Sequence, residues 1–490
     1  MASAQAAKAM VEPAKSVEVR VSKFCGDCHR LPNPLSFNRD RWHFEVKRGY
    51  EFYAKSGRQD LDVPPLNDTL TFFRSRAPEK LEYPNSPEAP GPPPVKFTLE
   101  NLTLENGIGI LPEIASLKWV QLSPSERSVL LATDMRYGQV VAIDVARQDR
   151  QAPQLLAQLR NPGRVEVCDL DGDGINEILV ADLASYMPSD HERSRLVMLR
   201  RTASSPSYEE VDLFSEMGRI SDVRAAHLDQ DGKLDLIIAE FGWRDVGRLL
   251  IAKNASTEDK LHFDLRAIDD RPGAISLSTF DFAGSKSPDI LALFSQEIES
   301  LHRYRTQNDR LVPSKIWGAE DLTFGCAELT VVDLNQDGLQ DILFTNGDAF
   351  DNSYLSPWHG VQWLENKGGD NFEYHRITEM PGAYAAQAGD FDRDGKLDIV
   401  VCSRLPASLL PEQIPRIASV VFLRQTEVGQ FARTTLEWDA PYYPSLAVGD
   451  FDENGWLDFA VAAGPFSAEP RQSSGDSSFM KVWWNSPPAE

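Results

Sequence analysis

The chain has 490 residues, with 74 acidic against 50 basic side chains and a formal net charge of −24. So negative a body is a poor partner for nucleic acid, whose binding proteins present basic surfaces. No run of about 20 apolar residues is present, the length a membrane-spanning helix needs, and 490 residues suit one large domain with a small one attached.

The opening MASAQAAKAM lacks the apolar segment of an export signal. The first motif is Cys25-Gly-Asp-Cys28-His29. C-x-x-C-H is the attachment signature of c-type haem, in which two thiols bond the vinyl groups and the adjacent histidine binds the iron. A zinc site would need two further nitrogen or sulfur ligands, and His43 is the other local candidate. The turn Leu31-Pro-Asn-Pro34 follows. A helix is then expected from about Phe37 to Lys55, with Trp42, Val46, Tyr50 and Tyr53 at helical spacing, and another from about Leu66 to Arg76.

Three short helices around one CxxCH resemble a class I cytochrome c. The resemblance implies that residues 1–81 form a small all-α haem module, with one covalent haem c on Cys25, Cys28 and His29. One departure matters: no methionine lies between Met10 and Met135, so GRQDLDVPPL cannot supply the usual distal sulfur. His43 would give bis-histidine ligation and a lower potential than His/Met; the alternative is an exposed helix histidine beside Trp42. Tyr50, Met10, a methionine from later in the chain and an open position are the other options. An open sixth position implies ligand or peroxide chemistry, and a filled one electron transfer.

Residues 82–96, EYPNSPEAPGPPPVK, carry six prolines and read as a stiff, extended spacer. Charge divides there. Residues 1–82 hold 14 Lys/Arg against 11 Asp/Glu, and the rest hold 36 against 63. A mildly basic module thus precedes a strongly acidic body, on which, or on an acidic redox partner, it could dock.

Beyond the spacer an acidic nonapeptide recurs, each copy leading into a short apolar run. The copies are DLDGDGINE from Asp169, HLDQDGKLD from His227, DLNQDGLQD from Asp333, DFDRDGKLD from Asp390 and DFDENGWLD from Asp450. DFAGSKSPD from Asp281 keeps two acids, and QLSPSERSV from Gln121 keeps none in those positions. First positions at 121, 169, 227, 281, 333, 390 and 450 give a period of 48 to 60 residues, one supersecondary unit repeated seven times. Oxygens at positions 1, 3, 5 and 9 with glycine at 6 suit a hard divalent cation, calcium before magnesium. The candidate ligands are Asp169, Asp171, Asp173 and Glu177; Asp229, Asp231 and Asp235; Asp333, Asn335, Asp337 and Asp341; Asp390, Asp392, Asp394 and Asp398; and Asp450, Asp452, Asn454 and Asp458. In the Asp390 copy a backbone carbonyl near Lys396 would complete the set. An EF-hand is excluded, because position 12 is Val180, Ile238, Phe344, Val401 or Val461 inside an apolar run. ILVAD, LIIAE, ILFTN, IVVCS and FAVAA read as short strands.

These residues resemble the FG-GAP, or VCBS, repeat of integrin-α-type propellers, one four-stranded blade per repeat. The resemblance implies a mainly β fold, a seven-bladed β-propeller over residues 97–490, with about five calcium ions in hairpin loops and none in the worn Gln121 and Asp281 copies. MKVWWN at 480–485 and VKFTLENL at 95–102 are candidates to close the ring.

Propellers bind partners at the channel ends. Turns preceding the repeats, with the segments 295–299 and 346–363 leaving them, suggest a mixed-charge cup from Arg219, Asp222, Arg271, Glu297, Glu299, Asp348, His359 and Tyr384; the alternative is simple surface turns with paired charges. Cys168, Cys326 and Cys402 read as small buried side chains. Haem attachment implies an exported, periplasmic or extracellular protein whose signal is absent from this numbering. The combined order of modules also resembles exported proteins of planctomycete-type bacteria. The functional readings are electron transfer to a redox partner or larger membrane or periplasmic complex, with the propeller as docking platform; a propeller enzyme, either a dehydrogenase feeding the haem or a sugar lyase; and calcium-dependent adhesion or carbohydrate binding. No Ser-His-Asp motif, nucleophile elbow, Walker loop or HExxH is present.

Overall fold

Each acidic nonapeptide ends where an apolar strand begins, and in the computed structural model that strand is the second of a four-stranded antiparallel sheet. The structure describes residues 14–103, 111–146, 152–201, 207–243, 246–257, 260–281, 287–296, 298–307, 310–350, 354–406, 409, 416–464 and 478–487. There are seven such sheets. The second blade is representative, with strands Pro162–Cys168, Glu177–Asp182, Ser194–Arg201 and Tyr208–Met217. The first strands of the other blades are Ile114–Val120, Ile220–Ala226, Ala274–Phe280, Leu329–Val332, Ala383–Gly389 and Ser445–Gly449. Each packs on the first strands of both neighbours, and Ile114–Val120 meets Ser445–Gly449, so the sheets close into a ring.

Burial explains the sequence pattern. Second strands such as Glu177–Asp182, Asp235–Glu240 and Asp398–Ser403 are buried at every residue, because neighbouring blades cover both faces. They therefore read as unbroken apolar runs. Fourth strands, such as Phe263–Asp269, are less buried, and there charged residues mix with apolar ones. The core is divided among the blade interfaces: Leu131 and Val140 of the first blade pack with Ile178 and Val197 of the second, and Phe391 and Val400 of the sixth with Phe459 and Trp483 of the seventh.

Closure follows the expected pairing. Lys96–Thr103 runs antiparallel to Ser478–Ser486, with Phe97 opposite Asn485 and Leu99 opposite Trp483. The seventh blade thus takes its outer strand from the beginning of the propeller and its other three from the end, which leaves no open sheet edge between them. Phe97 seals this seam with its ring edge-on to Phe422 and Phe459, at centroid distances of 5.5 and 5.2 Å.

The chain divides into two compact units, residues 1–83 with 319–323, and 84–318 with 324–490. Within the second, the proline-rich segment is fastened to outer strands. Ala89 N donates to Arg433 O over 2.7 Å, and Glu88 accepts from Arg433 Nε and Thr435 N at 3.1 and 2.8 Å.

The first unit holds three helices, α1 (Ala14–Cys25), α2 (Trp42–Lys55) and α3 (Leu66–Arg74). Trp42 stacks on Phe73 with centroids 4.2 Å apart and donates Nε1–H to Pro34 O over 2.8 Å. The second helix starts five residues later than the pattern suggested. Asn38 Oδ1 accepts from Arg41 N at 2.8 Å, a side-chain turn that competes with helical pairing until Trp42. The molecule is thus a mainly β seven-bladed propeller with three short N-terminal helices; a cytochrome fold is not established by these elements.

Candidate functional site

The acidic loops join the first and second strands of their blades, and five share one backbone conformation. Gly174, Gly232, Gly338, Gly395 and Gly455 have φ between +82° and +88°, and a Cβ would meet nothing within 4 Å at the first four and only Arg393 Nη1, at 3.8 Å, at Gly455. Glycine is demanded there by the left-handed backbone. The first acid accepts the glycine N–H: Asp169 at 2.9 Å, Asp333 at 2.9 Å, Asp390 at 3.2 Å and Asp450 at 2.8 Å. The fifth side chain accepts the seventh N–H, from Asp231 and Lys233 at 2.9 Å to Asn454 and Trp456 at 2.7 Å. In the third blade His227 stands at position 1 and its Nδ1 lies 2.9 Å from Lys233 O, so it holds the turn and brings no oxygen.

These turns gather the carboxylates. Asp169, Asp171 and Glu177 bring ligand oxygens within 4.8 Å of one another, as do Asp390, Asp392 and Asp394, and Asp450, Asp452 and Asp458. Asp390 Oδ1 is buried with no hydrogen-bond partner. An all-oxygen donor set with an orphaned buried acceptor fits a hard divalent cation such as calcium.

The ninth acid does something its place in the motif does not announce. Asp398 Oδ2 accepts from Phe391 N at 3.2 Å, while Oδ1 accepts from Gln425 N at 2.9 Å on the third strand. Asp458 repeats this with Phe451 N and Asn485 N, and Asp341 with Leu334 N and Asn366 N. Asp235 accepts from Asn254 N and Glu177 from Leu170 N. In Asp235, Asp341, Asp398 and Asp458 the residue ties loop to third strand, whatever it gives a metal. Burial, reinforced by nearby loop carboxylates, pushes Glu177, Asp398 and Asp458 up to about 7.

Resident cations are a second feature that the motif does not announce. From third strands, Arg200 pairs with Asp171, Lys253 with Asp229, and Arg424 with Asp392 at 2.6 Å and Asp394 at 3.2 Å. The equivalent positions of the fifth and seventh blades are Glu365 and Trp484. In the fourth blade, Arg303 and Arg305 hold Asp289 at 2.5 and 3.3 Å. Two guanidinium groups there hold the ninth acid of a loop that has lost its middle acids.

At the N-terminal motif, Cys25 ends α1, half-buried, and Cys28 is exposed; both are free thiols. Burial pushes the Cys25 thiol up to about 12. His29 Nδ1 lies 2.7 Å from Arg30 O, which makes Nδ1 the N–H and Nε2 the nitrogen with the lone pair. His43 is half-buried on α2; neither it nor the CxxCH residues belong to a three-ligand cluster among the described residues. Tyr50 commits its hydroxyl to Pro64 O at 2.7 Å and Thr69 Oγ1 at 2.8 Å. Met10 lies outside the described residues.

The other end of the channel, where the first strands begin, is bordered by connections between second and third strands, of which 183–193, 346–350, 354–359, 404–406 and 463–464 are described. A cavity of about 170 Å³ there brings together Arg219, Asp348 and Tyr384 of the expected cup, with Arg164 and Arg404, which were not expected. The rest of the cup does not assemble. Asp222 is fully buried against Arg164, Arg271 pairs with Asp269, and Glu299 accepts from Cys326 N. His359 is buried beneath Gly382, and Glu297 lies outside the described residues. Cys326 and Cys402 are buried and Cys168 half-buried, all as free thiols.

Residues 333–401 match the family described as FG-GAP-like repeat. That stretch runs from the acidic loop of the fifth blade into the second strand of the sixth, one full period and the start of the next. The fold and loops therefore define a seven-bladed propeller with FG-GAP-like repeats and acidic clusters able to hold metal ions. No curated protein matches the chain. No helix among the described residues is long and apolar enough to cross a membrane.

Proposed function

We propose that this is an exported c-type haem protein in which a calcium-braced propeller is the docking platform for a redox partner or a larger membrane or periplasmic complex. The observation that carries the reading is the arrangement at the end of α1: two free thiols three positions apart, followed at once by an imidazole whose Nδ1 is engaged by a backbone carbonyl. Cys25 and Cys28 would hold the porphyrin through thioethers, and His29 Nε2 would bind its iron. The group supplies one-electron redox chemistry when bound. The chain's own contribution is positional. Phe24 packs on Tyr50 and Tyr53 at 5.0 and 5.2 Å, fixing α1 on α2, and Arg58 ties Asp27 and Asp60 at 2.7 and 2.6 Å beside Cys28.

The test is expression in a host that matures c-type cytochromes, followed by haem staining on a denaturing gel. Wild type retains stain and the Cys25→Ala/Cys28→Ala variant loses it. An unstained wild type beside a stained control cytochrome overturns the reading.

A further inference from the structure

The channel mouth carries an arrangement that neither the metal loops nor the N-terminal motif explains. Three guanidinium groups, from Arg164, Arg219 and Arg404, line one small cavity, against a single carboxylate among the described lining residues, Asp348. They come from far apart in the chain: Arg164 from the second blade's first strand, Arg219 from the turn entering the third, Arg404 from the loop leaving the sixth blade's second strand.

The bland account is a neutral ion-pair network that only supports the fold. The distribution of charge across the wall argues for more. Arg164 keeps 19% of its side chain exposed while its partner Asp222 is at 0%; Arg404 keeps 12% while Glu113 is at 0%. These two acids lie behind the wall, and three cations with Asp348 form its charged surface. The acids also fix the arginines in place. Arg404 Nη2 donates to Glu113 Oε1 over 2.6 Å and Nε to Gly464 O over 3.2 Å, between the rings of Phe350 and Tyr384 at 4.7 and 5.2 Å. Arg164 Nη1 donates to Ser276 Oγ over 3.1 Å. Guanidinium groups held this way lose little entropy on meeting an oxyanion, and their planar fork matches carboxylate and sulfate alike. Ile220, Phe241, Ile275 and Pro444 give the cavity an apolar wall beside them, which suits a compact ring.

We propose that the channel mouth binds the oxyanion end of a small ring-bearing organic acid, either a carboxylate or a sulfate ester, with Arg219 and Arg404 as the principal contacts. At about 170 Å³ the cavity holds the charged end, and the remainder of the ligand lies along the rim. The proposal rests on the propeller alone and is independent of haem.

The experiment is calorimetric titration of the full, calcium-saturated chain with benzoate, galacturonate and galactose 6-sulfate, against glucose, glucosamine and inorganic sulfate. Saturable binding of at least one ring-bearing acid is expected, with neutral and cationic sugars inert; whether the carboxylates or the sulfate ester bind identifies the source. Arg219→Met and Arg404→Lys should each weaken binding about tenfold, the loss of one charge-assisted hydrogen bond. Should either variant fail to fold, mass spectrometry of wild type treated with phenylglyoxal replaces it, and bound acid should protect Arg219. Equal binding of acids and neutral sugars, affinity unchanged in the variants, or no protection overturns the proposal.

Discussion

Arg303 Nε lies 2.5 Å from Asp289 Oδ2, and only 3% of the arginine side chain reaches solvent. In the one blade whose loop has lost its middle acids but kept the ninth, that acid is held by a buried guanidinium. Its removal leaves Asp289, itself 1% exposed, with a weaker partner in Arg305. Arg303→Met is therefore expected to destabilise the propeller by about 3 kcal/mol, the low end for breaking a buried ion pair. Thermal unfolding should show this loss equally with calcium and with chelator.

Where a loop keeps its acids, a third-strand cation is a competitor for metal. Arg424, within 2.6 Å of Asp392, holds the sixth-blade loop in competition with calcium. Arg424→Gln should raise that loop's calcium affinity about three- to fivefold, equivalent to roughly 0.7–1 kcal/mol for an ion pair near the surface. The same logic ranks the sites. The fifth and seventh blades, with Glu365 and Trp484 in place of a cation, should fill before the second, third and sixth. Competitive titration against a calcium dye, with Asp450→Ala and Asp392→Ala chains as references, checks the order.

Two acids of one loop should behave differently. Asp398 joins the loop to the third strand through two backbone N–H groups, so Asp398→Ala leaves buried donors unpaired. The expected loss is about 2–4 kcal/mol and persists in chelator. Asp392 reaches the third strand through the Arg424 side chain and no backbone N–H, so Asp392→Ala should weaken calcium binding while costing the chelated protein about 1 kcal/mol or less. Melting curves of both variants with and without calcium separate the roles.

The glycine at position 6 can be tested alone. Gly395 has φ +87° with nothing within 4 Å of where a methyl group would stand, so Gly395→Ala meets backbone strain and no clash. It should cost about 1–2 kcal/mol, read as a lowered melting temperature that added calcium partly restores.

The architecture was legible because the acids punctuate it: each nonapeptide marks one loop, and the apolar run after it is buried on both faces. Closure by VKFTLENL and MKVWWN was readable from the surplus strand at each end. What escaped is long-range. Asp398 looks like any ninth ligand until Gln425, 27 residues on, comes alongside it. Arg200, Lys253 and Arg424 sit on strands whose polar residues have several possible destinations. Arg164 and Arg404 meet at the channel mouth from different blades, and no spacing in the chain announces that meeting. Asn38 delayed α2 through a local side-chain bond that helical periodicity does not weigh.

Calcium occupancy of the purified full chain is the most direct measurement. Metal analysis before and after chelation, with melting curves on the same samples, should find up to five ions. Their removal should lower the melting temperature, since each site at a hundredfold excess over its dissociation constant contributes about 2.7 kcal/mol. A chain that holds no calcium and melts identically with and without chelator would contradict the metal-braced propeller.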